Sequence, residues 1–323
     1  MKILMLVMDE QRIILERLYE SVRINSDECK IVRLSKSEQK RLGNVLRKHN
    51  SPAYDRVVIF SRLKRLRCQV DVLRCVPGLV FIEHDACQNY MPTSKYHGLY
   101  SRFYQRLPWA RVVSSGAGVA RRLRSEGVDA RFVSKGYDEK LIMDLGRKRD
   151  IDAAFLGSVN GHSYQERRRM LESIATQTDL LVTRTDSGLQ YVESLNRIRI
   201  FVSADVGMGE YMVKNFEAMA CGCALLAWSQ GSKEDSAMGF EDGKNVMLYR
   251  SADEAVAKLR QLKADPDLVA RIALAGQAFA VERYSFARVG RDLARTIAEP
   301  MRPWPGLSCW RRAWVRLRYG LKT

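Results

Sequence analysis

The chain lacks any apolar run near the ~18 residues expected of a membrane-spanning helix. Its opening, Met1-Lys2-Ile3-Leu4-Met5-Leu6-Val7-Met8-Asp9-Glu10, has too short an apolar stretch and turns acidic too early for a secretory signal. It reads as the buried first strand of a cytoplasmic protein. Cysteine is sparse: seven residues, an odd count, with no C-x-x-C pair. That argues against a disulfide framework and against a structural zinc site. Cys221 and Cys223 flank Gly222 in an apolar run, where small buried side chains pack closely. No RNA- or DNA-binding motif is recognisable. Acidic residues are also short, 37 against 54 Lys and Arg, giving a net charge of +17.

That deficit is uneven. Residues 1–150 hold 30 basic against 17 acidic side chains, residues 151–300 hold 18 against 20, and residues 301–323 hold 6 against none. A basic first half and a basic tail flank a near-neutral middle. Such a field favours anionic partners, whether nucleic acid, phosphorylated substrate or an anionic membrane face, without choosing among them. The 323 residues suffice for two domains or one large one, with a core that needs no metal or disulfide.

Periodicity gives the organisation. Strand-like runs at 2–8, 29–34, 56–61, 79–83, 110–115 and 130–134 alternate with helical patterns, including 11–25 and a helix ending near Gly127. Ser35 and Glu38 have capping-box spacing and predict a helix start. A charged stretch comes next, then the scheme repeats: strands at 153–156, 180–183, 200–203, 224–227 and 246–249, with helices at 165–176 and 211–220. Residues 252–298 read as helices broken at Asp265-Pro266-Asp267 and near Tyr284. Alternation of this kind predicts an α/β protein of two doubly wound Rossmann-like domains facing each other across a cleft. The expected boundaries are 1–140 for the first domain, 141–151 for a linker, 152–298 for the second domain and 299–323 for a basic, Trp-rich tail. Ligands in such folds sit beyond the carboxyl ends of the strands, so the site is expected in the cleft.

The most informative stretch runs from Gly207-Met208-Gly209-Glu210 through Tyr211-Met212-Val213-Lys214-Asn215-Phe216-Glu217 to Gly222. A flexible loop here feeds a helix whose free N–H groups and dipole favour an anion such as a diphosphate. Tyr211, Met212, Lys214 and Asn215 lie at that turn. Lys214 stands three residues before Glu217 on one helix face, placing a cation for phosphates beside a carboxylate for ribose hydroxyls. The same pattern also suits a capped amphipathic helix with no ligand. Gly157 and Ser158, after the second domain's first strand, offer backbone donors, and Arg167 and Arg168 offer positive charge or simply form a solvated helix face. His84 and Asp85 come at the end of a strand and are expected to face the cleft. The segment 86–104, with Asn89, Tyr96, His97 and Tyr100, has aromatic and polar side chains that suit sugar or phosphate recognition.

The run Phe216-Glu217-Ala218-Met219-Ala220-Cys221-Gly222-Cys223-Ala224-Leu225-Leu226 resembles the donor-site signature of GT-B glycosyltransferases of the retaining group 1 class. Asp242-Gly243-Lys244-Asn245-Val246 and the segment from Gly276 to Ser285 are similar to the family's segments downstream of that signature, with spore-maturation-type domains as the nearest branch. The resemblance covers about residues 150–295. It implies a nucleotide-sugar donor, a UDP- or GDP-sugar, with no permanently bound cofactor. It places Glu217 at the ribose, Arg167 or Arg168 at the leaving diphosphate and a histidine such as His84 near the transferred sugar. It makes 152–298 the donor domain and 1–140, with segment 86–104, the acceptor side. The family's second glutamate falls on Gly209, with Glu210 one residue later. Either the loop is one residue shorter, with Glu210 in the catalytic role, or Glu210 serves another purpose. A metal-dependent enzyme of the other fold would need D-x-D after a strand. Asp150-Ile151-Asp152 precedes its strand and Asp265-Pro266-Asp267 opens a helix, so no metal is expected.

In the tail, Trp310, Trp314, Leu317 and Leu321 fall on one helical stripe flanked by Arg311, Arg312, Arg316, Arg318 and Lys322. This suits an anionic bilayer surface or a helix packed back on the first domain. The resulting expectation is a hexosyltransferase-type enzyme, peripheral on the cytoplasmic face of the inner membrane. It would build a cell-surface glycan, such as a lipopolysaccharide core or exopolysaccharide, on an anionic or phosphorylated glycan or lipid acceptor. The alternatives are an inactive sugar-nucleotide binder and a basic nucleic-acid-binding module.

Overall fold

The computed structural model describes residues 1–9, 14–161 and 164–321. Strands β1 (Lys2–Met8), β2 (Glu28–Leu34), β3 (Arg56–Phe60), β4 (Leu79–Glu83), β5 (Arg111–Ser114) and β6 (Asp129–Phe132) form one parallel sheet in the order β2-β1-β3-β4-β5-β6. β1 shows why the run is apolar throughout. Leu4 and Leu6 enter the core on one face, and Ile3, Met5 and Val7 enter the core on the other. A strand covered on both sides has no polar face to display.

β7 (Ile151–Leu156), β8 (Leu181–Thr183), β9 (Ile198–Ser203), β10 (Ala224–Trp228) and β11 (Met247–Tyr249) form the second parallel sheet, ordered β11-β10-β9-β7-β8. In each sheet the chain reverses its direction of travel beside the first strand: between β1 and β3, and between β7 and β9. Open parallel sheets bind ligands at such switch points. The expected two-domain α/β architecture is present.

Several local expectations shift. The first helix is Glu16–Ile24, and part of the expected 11–25 lies outside the described residues. The Ser35/Glu38 capping box forms: the Ser35 N–H donates to Glu38 Oε2 at 3.0 Å, and the Glu38 N–H donates to Ser35 Oγ at 3.2 Å. It opens only the 3-10 turn Glu38–Lys40, and a separate helix, Leu42–Lys48, comes after it. Helices Leu189–Arg197 and Ser232–Met238 are not signalled by the sequence pattern. Cys221 and Cys223 are free and buried.

The stretch before β7 is fastened rather than loose. Asn196 Oδ1 accepts from the Leu145 N–H at 2.6 Å, and Arg149 donates to the Ile198 and Cys221 carbonyls at 2.7 and 2.5 Å. Helix Phe286–Ala298, grouped by sequence with the second domain, crosses back. Phe286, Val289, Leu293 and Ile297 pack into the core of the first sheet. Arg111, fully buried, pairs with Asp129 at 3.0 Å and donates to the Thr296 and Pro300 carbonyls at 2.8 and 2.6 Å, anchoring that crossing. Two segments therefore join the domains, one before β7 and one before residue 286.

Candidate functional site

A cavity of about 470 Å³ lies between the carboxyl ends of the two sheets, within the size range of small-molecule sites. From the first domain it is lined by Glu83, His84, Asp85 and Lys135, and from the second by Arg167, Glu210, Met212 and Lys214. Residues far apart in sequence thus meet where the sheet topology predicts.

The second-domain wall is built on Asp205, which lies just beyond β9 and is 2% exposed. Its carboxylate accepts from Arg167 at 2.6 Å, from the Met212 N–H at 3.0 Å and from Asn215 Nδ2 at 2.7 Å. Arg167 also donates to the carbonyls of Ala204 (3.3 Å) and Ser158 (3.4 Å) and stacks on Tyr164. One buried carboxylate thus ties the loop after β7, the loop after β9 and the start of helix Val213–Ala220. Gly207 and Gly209, at φ 74° and 67°, let the β9 loop turn back to that helix. Arg167 lines the cavity, but its charge is met by Asp205. Arg168 lies exposed on the outside of its helix, 4.0 Å from Glu172 and away from the cavity. The two arginines are neighbours in sequence, about 100° apart around one helix, and only Arg167 turns inward.

Lys214 is the cation on this wall with no carboxylate within ion-pair distance among the described residues. Its ammonium lies 4.2 Å from the Tyr191 ring centroid, and burial pulls its pKa below the usual lysine value. Gly157 explains how it fits: a Cβ there would lie 3.1 Å from Lys214 Cε and 2.9 Å from Phe155. Glu217 sits one turn further along, outside the cavity lining and half-buried. The Tyr191 hydroxyl donates to its Oε2 at 2.7 Å, and burial raises its pKa. Tyr191, which touches both charged residues, belongs to a helix that the sequence pattern does not signal. Ser158 is half-buried at the loop's edge.

Tyr211 and Asn215 turn inward. The Tyr211 hydroxyl donates to Asp235 at 2.7 Å, and its ring meets Phe240 edge-on. Asn215 is fully buried on Asp205. Met212 lines the cavity, with its sulfur 3.9 Å from Lys135 Nζ.

Glu210 crosses between the domains. It is 1% exposed, pairs with Lys135 at 3.1 Å and accepts from Ser115 Oγ at 2.8 Å. Burial works against the Lys135 ammonium, but Glu210, Cys87 and Asp85 together outweigh it and raise the Lys135 pKa above its ordinary value. Glu234 forms a second clasp, accepting from the N–H groups of Ala117 (3.0 Å) and Gly118 (2.6 Å) at a helix start in the other domain. A carboxylate is favoured there by the helix dipole.

His84 lines the cavity edge-to-face with Phe60, centroids 5.0 Å apart. Burial, and secondarily Lys135, lowers its pKa to about 3, so the imidazole is neutral. Asp85 lines the cavity and is otherwise exposed. Of segment 86–104, Tyr100, Phe103 and Tyr104 pack into the core and Asn89 is buried on Ser101, while Cys87, Gln88 and Met91 reach the cavity. The aromatic side chains of that segment cover the sheet, where their area is needed.

Glu83, passed over by sequence, is a buried carboxyl at the end of β4. It accepts from the Asp85 N–H at 2.8 Å and from Tyr104 at 2.9 Å. Burial, then the Asp85 charge, raises its pKa from 4.5 to about 8. Between those values the unfolded chain has lost this proton while the folded chain keeps it, so folding stability falls as pH rises. Glu83→Gln is expected to flatten that dependence. Urea midpoints measured across the same pH window check it, and an unchanged slope would contradict a protonated Glu83.

Among the described residues no cluster of three or more His, Cys, Asp or Glu side chains could hold a metal. A family model described as glycosyl transferase-like matches residues 124–295, a little over half of the chain. No curated protein matches it by sequence. Among solved structures it is similar to HepE from Anabaena in complex with UDP-glucose: 14% identity, 92% of this chain and 99% of that one, TM-score 0.67. It is also similar to the sucrose-phosphate synthase of Thermosynechococcus elongatus: 13% identity, 92% and 98% covered, TM-score 0.64. T4 phage BGT in complex with UDP-glucose gives 13% identity, 93% and 100% covered, TM-score 0.57. At these identities the likeness is one of fold, the facing two-domain GT-B arrangement. Given a family match over more than half its length, the chain belongs to the glycosyl transferase-like family.

Proposed function

We propose that the chain transfers a sugar from a nucleotide-sugar donor, a UDP- or GDP-sugar, to a cell-surface glycan or lipid-linked acceptor, with retention at the anomeric carbon. Lipopolysaccharide core or exopolysaccharide synthesis at the cytoplasmic face of the inner membrane is the setting this reading favours. The observation that carries it is the juxtaposition of Lys214, with no carboxylate at ion-pair distance among the described residues, and Glu217, one oxygen held by Tyr191, at the switch point of the second sheet. The UDP-glucose bound by HepE and by BGT, proteins of the same fold, supports it.

In this reading the diphosphate lies against Lys214, the first amides of helix Val213–Ala220 and the backbone of Gly157 and Ser158. Glu217 takes the ribose hydroxyls through its remaining oxygen. Arg167 and Asn215 keep this wall rigid through Asp205. As the bond from the anomeric carbon to the diphosphate oxygen breaks, negative charge grows on the leaving group, where Lys214 opposes it. The acceptor hydroxyl attacks from the same face, and its proton passes to the departing phosphate oxygen. His84, neutral, and Asp85 face the sugar from the first domain and hold its hydroxyls. Glu210 fixes Lys135 beside them.

A thermal-shift screen of UDP-, GDP-, ADP- and CMP-sugars tests the reading. A ligand at roughly 100 times its Kd stabilises the fold by about 2.7 kcal/mol. Such a shift is expected with a UDP- or GDP-sugar and is expected to shrink in Glu217→Ala. No shift with any of the four would overturn the proposal. A shift without turnover against any acceptor would favour the inactive binder.

A further inference from the structure

The tail is built inside out. Helix Cys309–Tyr319 lies across helices Leu42–Lys48 and Val70–Leu73 of the first domain. It is held by Val315, 1% exposed, by Leu307 and Leu321, and by Tyr319, whose ring leaves no room for a Cβ on Gly43. Of the four residues on the stripe that a docked amphipathic helix would turn inward, only Leu321, beyond the helix end, does so, and the other three face solvent. Trp310 is 89% exposed, Leu317 88% and Trp314 39%, at positions i, i+7 and i+4. Arg311, Arg312, Arg316 and Arg318 border the stripe, all exposed, and among the described residues none pairs with a carboxylate. Residues 301–323 contain no Asp or Glu. Beside the helix, Arg41, Arg47 and Lys48 are also exposed.

We propose that this outward apolar stripe and its arginine border form a docking surface for an anionic lipid bilayer, with Trp310, Trp314 and Leu317 entering the headgroup region. The charge selects this occupant. A second copy of the chain would bring the same arginines against their like, whereas anionic headgroups neutralise them. Aromatic and aliphatic side chains beside arginines suit the boundary between headgroups and acyl chains. Among the described residues no helix is long and apolar enough to cross a membrane, so the contact is lateral. The inference deepens the membrane setting proposed above and is independent of the donor chemistry.

Flotation with vesicles tests it. The full chain is expected to float with equimolar phosphatidylcholine and phosphatidylglycerol and to stay behind with phosphatidylcholine alone. Trp310→Ser with Leu317→Ser, and separately Arg311→Glu with Arg312→Glu, are each expected to weaken flotation about tenfold or more. All four side chains point outward, so unfolding midpoints and donor-induced thermal shifts should not change. Lys214→Ala, by contrast, should float like the parent while turnover falls, which separates failure of docking from failure of the enzymatic reading. Three results would overturn the proposal: no flotation with either vesicle, undiminished flotation of the serine double variant, or a dimer that the serine variant dissociates without any vesicle binding by the parent.

Discussion

Lys214→Ala is expected to lower donor turnover by roughly 10²- to 10³-fold, the loss typical of removing one preorganised group that stabilises charge in a transition state. The size rests on the local charge balance. Arg167 is nearer the loop after β7, but Asp205 holds its guanidinium at 2.6 Å. Lys135, across the cleft, is held by Glu210 at 3.1 Å. Lys214 alone of these three has no carboxylate within ion-pair distance among the described residues, and burial makes its charge more effective on a nearby phosphate than it would be in water. Steady-state kinetics with the donor identified by thermal shift measure the effect. Lys214→Arg, which keeps the charge, should recover part of the rate. Turnover within a factor of two or three of the parent in the alanine variant would remove Lys214 from the chemistry.

Asp205→Ala is expected to cost about 3–5 kcal/mol of folding stability, because it strands the buried Arg167 charge. It also frees the Met212 N–H and Asn215, so the start of helix Val213–Ala220 loses its tie to β9. Urea unfolding of the variant measures the loss. Adding Arg167→Met should restore much of the stability, since the stranded charge is then gone, but not donor binding, since the two loops remain untied. An Asp205→Ala protein with the parent's urea midpoint would show that the ion pair holds nothing together.

Much of this was legible in the chain because buried parallel strands leave a plain signature. β1 and β4 carry continuous apolar runs, Ile3 to Met8 and Leu79 to Ile82, because both faces are covered. Gly207, Gly209 and the apolar helix after them marked the turn at the second switch point. Lys214 and Glu217 were readable together because one helical turn sets their spacing. The helix breaks at Asp265-Pro266 and Ser285 were equally plain: each is a capped start, with the side chain accepting from the backbone three residues on.

Other features had no local signal. Tyr191 lies on a short helix whose residues suit several structures, and its contacts with Lys214 and Glu217 span more than 20 residues. Asp205 carries no local signal: its three donors come from separate segments and meet on it only in the fold. Arg167 and Arg168 are alike in sequence, and only the helix's rotation against the sheet sends one inward. Helix Phe286–Ala298 has an apolar stripe that would suit either domain, and only the fold shows Phe286, Val289, Leu293 and Ile297 packed on the first sheet.

Sequence by itself settled the two-sheet plan, the cleft between strand ends and the helix that carries Lys214 and Glu217. Each is written in contacts between near neighbours and in the burial pattern along a strand. The tertiary structure alone decided which charges are already neutralised, which tail surface faces outward, and where each domain takes its last helix. Those depend on groups brought together from distant parts of the chain, and Coulombic pairing and burial act through space rather than along the backbone.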